Sequence, residues 1–233
     1  MIKAIFFDFN GVIIDDEPLH EKSFREILKA EDVTLTAEDY RASLGMDDRS
    51  FVKAAYERAG RTIDDETISS VSQRKSELYQ SYIAQEIPTF NGIVDFIKRV
   101  SVEFPLGIVS MSRRADIETT LERLGIRENF SIIVSADEVN VCKPDPMCYR
   151  TAFRLMDELR TARGSNPMAQ SDCLVIEDAP PGVRAGKAAG MKVLGVTNTV
   201  SAEELREAGA DSVTKILVDW FPETIRLVFK PTV

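Results

Sequence analysis

Residues 3–11 read KAIFFDFNG: a short apolar run that ends in Asp8 and is followed by Asn10 and Gly11. The run does not alternate between apolar and polar, so it suits a strand covered on both faces, as in a parallel sheet. In such a sheet the carboxyl ends of the strands open onto the ligand crevice, and Asp8 would stand at that edge. Working outward, four more runs have the same character: LGIVS (106–110), SIIVS (131–135), CLVIE (173–177) and KVLGV (192–196). Amphipathic helix patterns lie between and after them: ADIETTLERLG closing at Gly125, PMCYRTAFRLMDELR (146–160), GVRAGKAAG closing at Gly190 and SAEELREAG closing at Gly209. A glycine just past the last turn is an ordinary helix stop. The alternation predicts an α/β fold, a doubly wound Rossmann-like parallel sheet.

One region departs from this rhythm. Between Glu17 and about residue 86 only helix patterns occur: EKSFREILK (21–29), TAEDYRASL with Thr36 as N-cap, RSFVKAAYERAG (49–60), and a long DDETISSVSQRKSELYQSYIAQ (64–85). That is far more than a crossover needs, so an all-helical subdomain is expected at 17–86, inserted into a core made of 1–16 and 87–233. The polar stretch RTARGSNPMAQSD (160–172) reads in its middle as a surface loop.

Bulk composition narrows the class of partner. A chain of 233 residues with 44% hydrophobic and 29% charged residues can bury a sizeable core. The net charge of −9, without a Lys/Arg block, argues against nucleic acid or an acidic membrane as partner. No apolar stretch approaches the roughly 20 residues that span a bilayer. Acids interrupt the N-terminal segment where a signal peptide would be apolar. Cys142, Cys148 and Cys173 lack CxxC spacing and read as free thiols. A cytoplasmic protein, monomer or weak dimer, acting on a small molecule is the expectation.

Four groups fall at or just beyond expected strand ends: Asp8 with Asn10, Ser110 with Ser112, Lys143, and Glu177 with Asp178. Each has a plain alternative, as turn former, helix cap, solvated loop lysine, or turn before a capped helix. Their convergence on one edge weighs against those alternatives. Adjacent carboxylates repel unless a cation neutralises them, and hard oxygen ligands suit Mg2+. A metal, an ammonium and a hydroxyl together hold the oxygens of a phosphoryl group, and a carboxylate in line can attack phosphorus.

These motifs resemble the haloacid dehalogenase superfamily of phosphatases and phosphotransferases. DFNG resembles its D-x-D-G nucleophile loop, LGIVSMSRR its strand ending in Ser/Thr, CKPDP its lysine motif, and VIEDAPPGVRAGKAAGM its acidic motif with the following helix. The helical insert resembles the cap of the β-phosphoglucomutase and phosphoglycolate phosphatase branch. The resemblance implies Asp8 as nucleophile, with Ser110, Lys143 and Gly11 in the phosphate-binding set. It implies Mg2+ held by Asp8, Glu177, Asp178 and the backbone carbonyl of Asn10. In the cap it implies His20 near the acid/base residue and Arg49 on the substrate's non-reacting part. Ser112 and Arg113 would face a distal phosphate. The expected partner is a small phosphorylated metabolite, and Lys143→Ala is expected to weaken phosphate binding at unchanged melting temperature.

Asn10 stands where the family has a second Asp, the group that protonates the leaving oxygen and then activates water. Losing general acid–base help costs about 10²–10⁴ in rate, roughly 3–5 kcal/mol of barrier. Several states remain open: a slow phosphatase with another group, such as His20, relaying the proton; an amide introduced to trap a complex; or a phosphometabolite-binding regulatory pseudoenzyme. A β-phosphoglucomutase-like mutase in inactivated form is a further reading. Dehalogenation fits least, since it needs no Mg2+ and the Glu177–Asp178 pair looks built for metal. Asn10-Gly11 is also a deamidation-prone dipeptide, whose conversion to aspartate would supply trace activity.

Overall fold

β1 (Ala4–Phe7) lies inside a six-stranded, all-parallel sheet ordered β3-β2-β1-β4-β5-β6. The other strands are β2 (Leu106–Val109), β3 (Phe130–Val134), β4 (Cys173–Glu177), β5 (Lys192–Val196) and β6 (Ser212–Thr214). The computed structural model describes residues 1–84 and 86–230. All five strands expected from the sequence are present. β6 is the sixth: three half-buried residues, too short and too polar to carry a pattern.

The absence of alternation in β1 has a direct structural cause, because both faces of the sheet are covered. Ile5 and Phe7 pack into one apolar cluster with Phe96, Ile97 and Phe130, while Ala4 and Phe6 pack into another with Tyr149, Met156 and Val183. Side chains alternate faces along a strand, so β1 must be apolar at every position. Helices α5 (Ile93–Ser101) and α6 (Arg114–Arg123) supply apolar side chains to the first cluster, and α7 (Met147–Ala162) and α8 (Pro180–Ala188) to the second. Two short helices, α9 (Ala202–Glu207) and α10 (Pro222–Val228), complete the core.

Between Glu17 and Ile83 the chain forms α1 (Glu17–Ala30), α2 (Ala37–Ala42), α3 (Asp48–Arg58) and α4 (Asp65–Ile83). Thr36 caps α2 as expected, its hydroxyl accepting from the Asp39 N–H while Asp39 bonds back. Such a cap stabilises by about 0.5–2 kcal/mol. Asp47 and Asp64 cap α3 and α4, their carboxylates accepting from the N–H of Ser50 and Thr67, without the return bond. The helices enclose a cluster of their own around Phe24, Leu28, Phe51 and Tyr56, with Phe24 and Phe51 stacked at 3.7 Å. The two chain crossings to the sheet run side by side: the Asp15 N–H donates to Pro88 O at 3.0 Å, and Ile14 bridges Thr89. No helix among the described residues is long and apolar enough to cross a membrane.

Candidate active site

The strand order reverses at β1, with β2 and β3 on one side and β4, β5 and β6 on the other. Ligand crevices of open parallel sheets form at such switch points, outside the carboxyl ends of the strands. Asp8 follows β1 directly. Its N–H donates to Ile176 O at 2.9 Å, which extends the ladder by one residue and sets Asp8 beside Glu177 at the end of β4. Ser110 is placed the same way beyond β2, its N–H donating to Val134 O at 2.9 Å. Lys143 comes from the loop after β3.

The ammonium of Lys143 joins these groups. Nζ donates to Asp8 Oδ1 at 2.8 Å, to Glu177 Oε1 at 2.6 Å and to Val109 O at 3.2 Å. Burial works against this charge, but Asp8 and Glu177 outweigh it and hold the lysine well above its ordinary range. Tyr149 donates to the same Glu177 oxygen at 2.6 Å. Burial raises Glu177 to about 7, with the charge of Asp8 adding to it and Lys143 and Tyr149 opposing. Burial also raises Asp178, reinforced by Asp8 and Glu177 and only partly offset by the hydroxyl of Thr199. One ammonium therefore faces more negative charge than it can balance.

Asp8, Glu177 and Asp178 each present a carboxylate oxygen within 4.8 Å of the others, a hard-oxygen donor set for a divalent cation. Two glycines make room for it. A Cβ on Gly182, in the first turn of α8, would lie 1.9 Å from the Glu177 carboxylate. A Cβ on Gly11 would lie 2.0 Å from Asp178 Oδ2, and Gly11 also holds φ +71°, which favours glycine. The donor set, its excess charge and this room fit a small divalent cation.

Residue 10 sits beside the cluster. Asn10 Oδ1 accepts from Ser112 Oγ at 2.7 Å and Ser110 Oγ at 3.4 Å, while Nδ2 donates to Asp16 Oδ2 at 2.8 Å. His20 Nε2 lies 3.0 Å from that nitrogen. The Gly11 N–H, expected in the phosphate-binding set, is engaged by Ile14 O at 2.8 Å, so in this geometry Gly11 contributes space rather than a donor. The same bond holds back the nitrogen that deamidation of Asn10 would need as its attacking group. Deamidation is therefore a reaction of the unfolded chain more than of this fold.

Two adjoining cavities meet here. The inner one, about 80 Å³, is lined by Asp8, Asn10, Ser110, Lys143, Glu177 and Asp178, and roofed by α1–α3 residues such as Glu17 and Phe51. The outer one, about 340 Å³, opens between α4 and the start of α6. Asn10, His20, Asp48, Met111 and Ser112 line both. Arg49 and Arg113 line only the outer cavity. Arg49 is held by Ser69 and, at 3.5 Å, Asp65; Arg113 by Ser76 and, at 3.0 Å, Asp116. The structure thus gathers every candidate site residue named from the sequence except Gly11 and the two arginines into the lining of the inner cavity. Sequence reading missed Asp16, Glu17, Lys75, Tyr79, Tyr149 and Thr199. Of these, only Asp16 and Glu17 carried a signal, as acids next to the Asp8 loop.

Residues 2–190 match the family model of haloacid dehalogenase-like hydrolases. The chain belongs to this family. Among characterised relatives, it is 26% identical to a phosphorylated carbohydrates phosphatase of Thermotoga maritima, over 98% of this chain and 99% of that one. It is 35% identical over 174 residues, 72% of this chain, to a bifunctional riboflavin kinase/FMN phosphatase of Arabidopsis thaliana. It spans only 42% of that longer protein. A β-phosphoglucomutase from Clostridium difficile superposes with a TM-score of 0.85 at 22% identity, covering 98% of this chain and 97% of that one. This last likeness establishes the haloacid dehalogenase-type fold for the present chain.

Proposed function

We propose that this hydrolase is a Mg2+-dependent phosphatase of small phosphorylated metabolites, sugar phosphates foremost, working through an aspartyl-phosphate on Asp8. The observation that carries this reading is the Lys143 ammonium, which bridges Asp8 and Glu177 at 2.8 and 2.6 Å within the carboxylate cluster. A buried carboxylate held by an ammonium, next to a cation site and under a helical roof, suits attack on phosphorus better than any role in packing. The cap in this reading is 17–86, and its closure excludes water from the inner cavity.

Lys143 anchors Asp8 Oδ1 and so fixes the direction of the carboxylate. The Asp8–phosphorus bond forms as the bond to the leaving oxygen breaks. Ser110 and Lys143 hold the phosphoryl oxygens through the transfer. Water then attacks phosphorus as the Asp8–phosphorus bond breaks, its proton passes back to the group that protonated the leaving oxygen, and Asp8 is regenerated as phosphate leaves. Asp8, Glu177, Asp178 and the Asn10 carbonyl would hold Mg2+, which supplies positive charge against the phosphoryl group when bound. Asn10 cannot deliver the proton that the leaving oxygen takes up. His20, which lines both cavities, is the side chain placed to relay it. Arg49 and Arg113 face the part of the substrate that lies in the outer cavity.

The test is phosphate release from a panel of sugar phosphates with Mg2+, with Asp8→Asn as control. Turnover by the natural chain and none by Asp8→Asn supports the reading. The amide at residue 10 specifically favours a second one, a phosphometabolite-binding regulatory protein. Tight binding of the panel without turnover would decide for it.

A further inference from the structure

Asp16 immediately precedes α1 and occupies its N-cap position, yet its side chain makes no cap hydrogen bond. It is fully buried instead and turned toward the site. Oδ2 accepts from Asn10 Nδ2 at 2.8 Å, from His20 Nε2 at 3.1 Å and from the Tyr79 hydroxyl of α4. Oδ1 has no hydrogen-bond partner among the described residues. A carboxylate that forgoes the helix cap and leaves one buried oxygen unpaired is unfavourable for stability alone.

The lysine beside His20 fixes the ring tautomer, and the 3.0 Å approach of Nε2 to Asn10 Nδ2 is then a contact between two donors that share Asp16 Oδ2. Lys75 is buried, and its Nζ lies 2.7 Å from His20 Nδ1 and 2.8 Å from Asp48 Oδ1. An ammonium only donates, so Nδ1 accepts, the ring proton is on Nε2, and Nε2–H points at Asp16. Facing the same carboxylate, the Asn10 amide must present Nδ2, which leaves Oδ1 for the hydroxyls of Ser112 and Ser110. An aspartate at position 10 in this arrangement would set a half-buried carboxylate 2.8 Å from the fully buried one of Asp16.

We propose that Asn10 and Asp16 are a matched pair. Asp16 is a positioning residue whose carboxylate orients the Asn10 amide and, with Lys75, the His20 ring. The amide at position 10 is native to this site, and a carboxylate there is compatible only when residue 16 gives up its charge. Asp16 lines neither cavity; it acts through Asn10 and His20, which line both. The inference deepens the phosphatase reading and rests on it only where turnover is measured.

The experiment compares the unsubstituted chain with Asn10→Asp, Asp16→Asn and the double exchange. Three readouts are taken: the thermal midpoint at pH 8, hydrolysis of glucose 6-phosphate with Mg2+, and long-range 1H–15N spectra of the imidazole. His20 is the chain's single histidine, so its ring signals are assigned without ambiguity. Asn10→Asp is expected to lower the midpoint and not to raise kcat. Asp16→Asn is expected to lower kcat tenfold or more at unchanged KM and to disturb the Nε2–H signature. The double exchange is expected to return the midpoint close to the natural value and to exceed Asn10→Asp in kcat at least tenfold. An Asn10→Asp chain that fails to fold while the double exchange folds supports the pair equally. Additive effects on the midpoint, or an unaltered imidazole signature in Asp16→Asn, would overturn it. If midpoints and spectra show coupling while no chain hydrolyses the sugar phosphate, the pair stands and the phosphatase reading falls. Hydrolysis with additive midpoints gives the reverse.

Discussion

Replacing Lys143 by alanine probes the electrostatic design of the site. The lysine side chain is only 3% exposed and bonds two carboxylates, one of them the 1%-exposed Glu177. Removing one partner of such a buried network leaves uncompensated charge, which costs about 3–5 kcal/mol. For a chain of this length each kcal/mol moves the melting temperature by about 2–4 °C, so a fall of roughly 6–20 °C is expected in metal-free protein at pH 8. The contacts of Lys143 therefore predict a lower melting temperature for Lys143→Ala, in place of the unchanged one expected from the sequence. A loop lysine read from sequence alone has no visible load, whereas here it balances Asp8 and Glu177. The deficit should shrink toward pH 5, where Glu177 takes up a proton, and Mg2+ should recover part of it by replacing the lost positive charge. Differential scanning calorimetry at both pH values, with EDTA or Mg2+, measures this. An unchanged midpoint at pH 8 with EDTA, together with undiminished phosphate affinity, would refute the reasoning.

Metal-free natural protein has its own pH dependence. Glu177 is raised from its ordinary 4.5 to about 7, so the folded chain holds a proton that the unfolded chain releases. Its stabilising share is complete below about pH 4.5 and declines by up to about 3 kcal/mol as pH rises to 7. Mg2+ needs these carboxylates ionised, so its affinity should increase over the same window; melting curves from pH 5 to 8 with and without Mg2+ check both signs. Tyr149→Phe removes the 2.6 Å bond to Glu177. It should cost about 1.5–3 kcal/mol and move Glu177 higher still, which NMR of the carboxylate and thermal melts will show. Gly182→Ala forces a methyl group against the Glu177 carboxylate, and a loss of 10–100-fold in Mg2+ affinity is expected by calorimetric titration.

Asp8, Ser110, Lys143 and the Glu177–Asp178 pair were legible because each lies at or soon after a strand end, and strand ends follow from apolar runs. The helices of the insert, α1 to α4, were legible from periodicity and from N-caps such as Thr36. α5 was not among the helices expected from the sequence: Ile93, Phe96, Ile97 and Val100 are buried at helical spacing, but Gly92 offers no side-chain cap to mark its start. The supporting groups were less accessible. Tyr149 reads as one more apolar position of an amphipathic helix, and only the packing of α7 shows its hydroxyl on Glu177. Lys75 lies 55 residues from the histidine it meets. Asp16 stood out in the sequence only as an acid near the Asp8 loop, and what sets it apart is a helix-cap bond it does not make. Burial and long-range pairing decide these roles, and neither has a local signature.

The most direct test of the account asks whether Asp8 carries the phosphoryl group. Natural protein is mixed with Mg2+ and sugar phosphate, quenched in acid during turnover and reduced with borohydride, which converts an aspartyl-phosphate to homoserine. Tryptic cleavage after Lys3 and Lys22 releases residue 8 within peptide 4–22, where mass spectrometry locates the change. Homoserine at position 8, absent when substrate is omitted, is the predicted result. Steady turnover without modification of Asp8, or modification at another carboxylate, would contradict the account.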